Sequence, residues 1–140
     1  MGMAVKILTR SLNAFHLSGS ACNNCDIEVL DALTPRYDLE RFGITLVGSV
    51  RQADLLLLCG AFNRKSAERL RRVYHEAPKP VVVAAVGSCA CSGCIFRHSY
   101  NWEEPVDSYI PVDVYIPGCP PKPEAMIAAI VKTIAKLRGG

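Results

Sequence analysis

Short apolar segments alternate along the chain with longer segments in which apolar residues recur at helical spacing. The short segments predict strands, because each is too short for a helix and several are bounded by Gly or Pro. The longer segments predict helices, and Pro35 and Pro78 end the first two of them. The predicted strands are residues 13–17, 44–47, 55–59, 81–86 and 112–116, and the predicted helices are residues 26–33, 64–77 and a segment from Pro123 through Ile134.

Strands that alternate with helices of this length predict a parallel sheet covered on both faces. Five strands in 140 residues indicate an α/β fold with a flavodoxin-like, doubly wound sheet, and residues 1–140 are predicted to form a single domain. The β-branched segment 81–86 is expected to be a central, buried strand, and residues 87–111 are expected to be irregular. In such a sheet, ligands bind beyond the carboxyl ends of the strands.

Composition and charge narrow the range of functions. The formal net charge of +3 is modest, and the densest basic group (Arg69, Arg71 and Arg72) falls on a predicted surface helix, which argues against nucleic-acid binding. Half of the residues are apolar, which indicates that partners cover part of the surface. No segment approaches the roughly 20 apolar residues of a membrane helix. Residues 1–12 lack the pattern of an export signal, so the protein is expected in the cytoplasm.

Seven cysteines in a cytoplasmic protein indicate metal binding or redox chemistry rather than a disulfide framework. Cys22 and Cys25 follow the first predicted strand, Cys89 follows the fourth, and Cys119 follows the fifth. All four therefore lie at the carboxyl edge of the predicted sheet, although they are far apart in sequence. This convergence is the strongest physical signal in the chain.

A C-x-x-C pair and two distant thiolates can complete a four-cysteine ligand set for an iron–sulfur cluster, and the neighbouring glycines permit tight turns around it. A zinc-stabilised scaffold is an alternative, although structural zinc sites more often combine two local C-x-x-C pairs. A thiol redox pair would leave two of the four cysteines without a role. Cys59 is expected to be a small buried thiol. Cys91 and Cys94 share a loop with Cys89, and spacing leaves open which of the three is the ligand.

Three segments together resemble one family: HLSGSACNNCDIE at residues 16–28, GSCA at 87–90 and PVDVYIPGCPP at 111–121. It is the family of small subunits of nickel–iron hydrogenases and of the related cluster-bearing subunit of respiratory complex I, and the likeness extends from about His16 to Lys136. The resemblance implies one 4Fe–4S cluster on Cys22, Cys25, Cys89 and Cys119. It thereby selects Cys89 over Cys91 and Cys94, and Cys94 stands where such relatives usually carry a glycine.

Two details of the resemblance indicate whether the chain is more similar to the hydrogenase members or to the complex I members of this family. Complex I subunits of this type have adjacent cysteines in the first motif, whereas Cys22 and Cys25 are spaced as in hydrogenases. The chain also stops after one helix, without the further clusters of exported hydrogenases. It therefore resembles the small subunit of a membrane-bound, energy-converting hydrogenase at the cytoplasmic face of the membrane. The implied partners are a nickel–iron large subunit, a ferredoxin-like iron–sulfur subunit and integral membrane subunits, and the alternative is a complex I-like, quinone-linked relay subunit.

On this interpretation the chain relays electrons and carries no complete active site. Two roles stay open for Glu28: proton transfer, or that of a surface or interface carboxylate. The segment 95–111, with Arg97, His98, Tyr100 and Trp102, is expected to meet a partner. His98 is expected to be a hydrogen-bonded loop residue rather than a fifth ligand.

Overall fold

A computed structural model describes residues 11–102 and 104–139. Five parallel strands form one sheet in the order β2-β1-β3-β4-β5, which is the flavodoxin order. The predicted flavodoxin-like α/β fold is confirmed. The strands are β1 (Leu12–Ser18), β2 (Ile44–Leu46), β3 (Leu55–Cys59), β4 (Val82–Val86) and β5 (Val114–Ile116), and the helices are α1 (Asn24–Asp31), α2 (Arg64–Glu76), α3 (Ser88–Ser92) and α4 (Pro123–Gly139).

The register of the sheet brings four strands to an end at one level. Ser18 pairs with Cys59, Cys59 pairs with Val86, and Val86 pairs with Ile116. The loops that follow β1, β3, β4 and β5 therefore leave the sheet side by side along one edge. This edge is where ligands bind in doubly wound sheets.

Two apolar layers cover the sheet, and side chains alternate between them along each strand. Leu55, Leu57 and Cys59 of β3 face the layer formed by α1 and α4, whereas Leu56 and Leu58 face the layer formed by α2 and α3. Every residue of β3 is buried. The continuous apolar pattern at 55–59 thus reflects a central strand that is covered on both sides.

The observed elements differ from the predicted ones mainly at their ends. Helix α1 begins at Asn24, directly after the left-handed Asn23, and ends at Asp31, whose carbonyl accepts a hydrogen bond from the Thr34 hydroxyl at 2.6 Å; the expected limits are 26 and 33. The segment 87–111 contains the short helix α3, although no helix was expected there. Arg69, Arg71 and Arg72 lie on the exposed face of α2, as expected.

The expectations about an export signal, a membrane-spanning helix and a single domain compare with the structure as follows. The absence of an export signal was inferred from residues 1–12, and residues 1–10 lie outside the described residues. In the described part of the chain, no helix has the length and apolar character needed to span a membrane. That residues 1–140 form a single domain stays a prediction.

Candidate metal centre

The four cysteines singled out by sequence all lie in loops or first turns at the carboxyl edge of the sheet. Cys22 lies between β1 and α1, and Cys25 lies in the first turn of α1. Cys89 lies in the first turn of α3, directly after β4, and Cys119 follows β5. Cys25 is buried and Cys89 is partly buried, whereas Cys22 and Cys119 are exposed. The edge therefore presents two inner and two outer thiols.

The loop that carries Cys22 is held against the end of β3 by backbone hydrogen bonds. The Gly19 amide donates to the Cys59 carbonyl at 2.9 Å, and the Ser20 amide donates to the Ala61 carbonyl at 2.7 Å. Asn23 then adopts a left-handed conformation, with φ 67°, and turns the chain into α1. The next turn places Cys25 on the buried side of the helix.

A second set of hydrogen bonds joins the loops that carry Cys89 and Cys119. The Ser88 amide donates to the Gly118 carbonyl at 2.8 Å, and the Gly118 amide donates to the Ser88 hydroxyl at 3.3 Å. The Gly87 amide donates to the carbonyl of Ile116 at 2.8 Å. These bonds fix the position of the two loops relative to each other, so two cysteines that are distant in sequence become neighbours.

Gly87 brings the two halves of the site together. Its φ of +87° lies in a region that L side chains rarely adopt, and a Cβ at this position would lie 2.6 Å from the Cys25 sulfur. The Cys25 side chain therefore packs directly on the Gly87 backbone. Only glycine permits this contact, which places the inner thiol of α1 against the loop that presents Cys89.

The pKa values of the two inner thiols also indicate that the cysteines form one group. Burial, and next the charges of Cys89, Cys22 and Cys119, raise the pKa of Cys25 to about 11. Burial, and next the charges of Cys94, Cys119 and Cys22, raise the pKa of Cys89 to about 11. Each inner thiol would thus be repelled by its neighbours if they became thiolates together. A bound cationic group would remove this penalty, so the donor set fits a metal centre.

The spacing of the thiols argues against one shared ion. Sulfur atoms that each bind one zinc ion at about 2.3 Å in a tetrahedron lie about 3.8 Å apart. Among the described residues, the only three His, Cys, Asp or Glu ligand atoms within 4.8 Å of one another belong to His16, Asp26 and Cys59. No three of the four edge thiols are that close. An iron–sulfur cluster binds each thiolate to a different iron and fits wider spacing.

The three thiols of the segment 89–94 have different surroundings in the structure. The Cys91 thiol lies 3.6 Å from the Ala85 carbonyl, to which it donates, and packs against the α2 and α3 side of the sheet. Cys94 is exposed, has a φ of 46°, and after burial makes the largest contribution to the raised pKa of Cys89. Its left-handed backbone is one that glycine adopts without strain. Cys59 is fully buried, as expected.

The remaining site expectations concern the surface around the cysteines. Glu28 is partly buried on α1. His98 is exposed and has a φ of 73°. Trp102 packs over the backbone of Gly93, where a Cβ would lie 2.5 Å from its ring. The roles proposed for Glu28 and His98 stay predictions.

Sequence reasoning missed a polar group beneath this edge. His16 Nε2 lies 2.7 Å from Asp26 Oδ1, and the Ser18 hydroxyl donates to Asp26 Oδ2 at 3.2 Å. The sequence signal was present: Leu12, Ala14, His16 and Ser18 share one face of β1, and that face changes from apolar to polar along the strand.

Comparisons with known proteins agree with this description. Residues 22–133 match the family described as NADH ubiquinone oxidoreductase, 20 Kd subunit. The chain is 48% identical over 132 residues to a probable membrane-bound hydrogenase subunit of Pyrococcus furiosus, covering 94% of this chain and 79% of that protein. It is 45% identical over 121 residues to an NADH-quinone oxidoreductase subunit of Amoebophilus asiaticus, covering 86% of this chain and 74% of that protein.

Two solved structures extend the comparison. A chain in the structure of the membrane-bound sulfane sulfur reductase, an archaeal respiratory membrane complex, superposes with a TM-score of 0.86 at 40% identity, covering 99% of this chain and 77% of that one. A chain of an NAD⁺-reducing [NiFe]-hydrogenase superposes with a TM-score of 0.71 at 20% identity, covering 91% of this chain and 93% of that one. The second likeness supports the fold alone.

The raised pKa values predict that the metal-free chain loses stability at alkaline pH. The Cys25 and Cys89 thiols have an ordinary pKa of 9.0 and a pKa of about 11 in the fold. The folded state therefore holds protons more tightly; the resulting stability is complete below pH 9 and is lost as pH rises through 11. Urea unfolding of the reduced, metal-free full chain should show this fall, and Cys25→Ser should lessen it. An equal pH dependence in both proteins would contradict the assignment.

Substitution of Gly87 should damage the centre as well as the fold. Gly87→Ala places a Cβ against the Cys25 sulfur and forces alanine into a sparsely populated backbone region, which costs about 1–3 kcal/mol of stability. We expect a lower free energy of unfolding and a lower iron content after anaerobic reconstitution of the full chain. Gly48→Ala is the matched control, because a Cβ there has no atom within 4 Å. Wild-type iron content in Gly87→Ala would refute the role of this contact.

Proposed function

Since this chain belongs to the family of the 20 kDa subunit of NADH ubiquinone oxidoreductase, we propose that it is an electron-relay subunit that holds one 4Fe–4S cluster on Cys22, Cys25, Cys89 and Cys119. Its relatives are subunits of membrane-bound hydrogenase and NADH-quinone oxidoreductase complexes. The chain is thus one component of an oxidoreductase, and its partners supply the sites where substrates react.

The observation that carries the proposal is the arrangement of the four thiols. They converge at one edge of the sheet and interact electrostatically, and no three of these four described thiols lie within 4.8 Å of one another. Four separated thiolates are the ligand set of a 4Fe–4S cluster. The same spacing counts against the zinc-stabilised scaffold.

The chain's own residues hold the ligands and leave one side of the centre accessible. The Gly87 backbone supports the inner thiol of Cys25, and the bonds between Ser88 and Gly118 set the distance between Cys89 and Cys119. Cys22 and Cys119 remain exposed, so electrons have a short path to a partner at this edge. When bound, the cluster would accept and release one electron at a time between two partner centres.

Exposed apolar side chains support the role of a subunit. On α1, Ile27 and Leu30 are 59% and 58% exposed, and in the loop after Cys94, Ile95 and Tyr100 are 83% and 93% exposed. Both segments adjoin the cysteine edge. Apolar surface of this kind marks protein contacts, and these contacts would bring a partner's redox centre close to the cluster.

We favour a membrane-bound, energy-converting hydrogenase as the complex. There the cluster would lie between a ferredoxin-like iron–sulfur subunit and the nickel–iron site of a large subunit, and hydrogen chemistry would be coupled to ion translocation by integral membrane subunits. The chain would bind peripherally at the cytoplasmic face. The similarity to the Pyrococcus furiosus hydrogenase subunit and the spaced Cys22 and Cys25 support this branch.

Two other complexes use relatives of this chain. The similarity to NADH-quinone oxidoreductase subunits keeps a quinone-linked relay as an alternative. The likeness to a chain of the sulfane sulfur reductase complex adds a sulfur-reducing branch, which sequence reasoning did not consider. In all three the chain itself would have the same task.

The ligand assignment predicts different results for two cysteines of the segment 89–94. Reconstituted full chain should bind about four irons, as one 4Fe–4S cluster requires. Cys89→Ser should lose most of this iron and the cluster absorbance, whereas Cys94→Ser, five residues later in the same loop, should retain both. Retention in Cys89→Ser together with loss in Cys94→Ser would transfer the ligand role to Cys94.

The choice of complex can be tested on the native assembly, purified anaerobically through a tag on this chain. We expect nickel in a co-purifying large subunit and hydrogen-dependent reduction of viologen. Iron and acid-labile sulfide without nickel would keep the cluster but exclude the hydrogenase. Quinone reduction or sulfide release from polysulfide would then distinguish the other two branches. Zinc in place of iron would overturn the proposal for the cluster.

A further inference from the structure

The face of β1 that packs on α1 changes character just below the cysteine edge. Leu12 and Ala14 are buried in the apolar layer, but His16 and Ser18, on the same face and nearer the edge, are polar. Ser18 pairs with Cys59 of β3 in the register of the sheet. Polar side chains at such positions lose hydration and need partners inside the protein.

Asp26 is the partner that these side chains share. Its two carboxylate oxygens accept hydrogen bonds from His16 Nε2 at 2.7 Å and from the Ser18 hydroxyl at 3.2 Å. The Cys59 sulfur lies within 4.8 Å of the same carboxylate and of the His16 ring nitrogen. The Asp26 side chain is only 16% exposed. These contacts connect the first turn of α1 to β1 and β3.

The three groups could also bind a cation, but their geometry favours a hydrogen-bonded cluster. The ring nitrogen of His16 that would coordinate a metal points at the Asp26 carboxylate, 2.7 Å away. A metal between them would have to break this bond.

Asp26 follows Cys25 directly in the first turn of α1, so its carboxylate acts on the candidate cluster in two ways. The hydrogen bonds to β1 fix the turn that carries the Cys25 thiol. The carboxylate is also a negative charge one residue from that thiol, held in place by His16 and Ser18. A negative charge near a cluster disfavours the added electron and lowers its reduction potential.

We propose that Asp26, held by His16 and Ser18, is a positioning residue that orients Cys25 toward the cluster and lowers the cluster's reduction potential. The inference rests on the proposed function, because it needs a cluster on Cys25. It assigns a task to a polar group on an otherwise apolar face of the sheet.

The test uses the full chain, reconstituted anaerobically with iron and sulfide, so that one cluster is observed. Its midpoint potential is measured by a redox titration followed by EPR. Asp26→Asn keeps the shape of the side chain but removes its charge, and we expect unchanged iron content with a more positive midpoint potential. Asp31→Asn is the matched control: it removes the same charge at the other end of α1, about 7.5 Å further along the helix, and should shift the potential much less.

The outcomes separate this inference from the proposed function. If the wild-type chain binds no iron–sulfur cluster, the proposed function fails. If Asp26→Asn retains its iron and has the wild-type potential, the cluster proposal stands and the role of Asp26 is refuted. One tightly bound zinc per wild-type chain that Cys59→Ala removes would also refute it, in favour of a metal site at these three residues.

If Asp26→Asn does not retain iron, a second variant tests whether Asp26 lowers the reduction potential of the cluster. Ser18→Ala removes one hydrogen bond from the carboxylate but keeps its charge, which is then less compensated, so the potential should become more negative. A wild-type potential in Ser18→Ala would overturn the inference in that case. His16→Gln, which can still donate to Asp26, should stay closer to wild type than His16→Ala in both iron content and EPR spectrum.

Discussion

The in-register parallel pairing of four strands is the constraint on which the site depends. Because Ser18, Cys59, Val86 and Ile116 lie at one level, the segments that leave these strands begin next to one another. Loops from three different parts of the chain can then present their cysteines to the same volume. A shift of one residue in any pair would also move that strand's apolar side chains to the opposite face, so the core that holds the register also holds the site.

Close backbone contacts turn this alignment into one group of thiols. Gly87 lets the Cys25 sulfur pack on the backbone, and hydrogen bonds between Ser88 and Gly118 join the other two loops. This clustering has an electrostatic cost, because each thiol opposes the ionisation of its neighbours and so raises their pKa values. A positively charged group that binds thiolates would relieve this repulsion, so under the proposed function the fold and the cluster would stabilise each other.

The carboxyl edge of the sheet has a polar, hydrogen-bonded group on its inner side and exposed apolar surface on its outer side. Below it, His16, Ser18 and Asp26 form a hydrogen-bonded group within the core layer, where fixed dipoles and charge can adjust a redox centre. Above it, Cys22 and Cys119 are exposed beside apolar surface on α1 and in the loop after Cys94. Under the proposed function the chain needs both, because the potential of its cluster would be set from within and its electrons would leave through a partner.

The sequence by itself determined the fold class, the approximate position of each of the five strands in the described residues, and the convergence of Cys22, Cys25, Cys89 and Cys119 at one edge. These follow from local patterns: apolar runs such as 55–59, bounded by turn residues, and the rule that ligands bind at the carboxyl ends of parallel strands. Spacing could not separate Cys89 from Cys91 and Cys94, because thiols in one loop have the same pattern whichever way they point. Only the tertiary structure turned Cys91 toward Ala85 and away from the edge. It alone also joined His16 to Asp26, since that contact depends on how α1 packs across β1, and packing between elements is not encoded in the periodicity of either one.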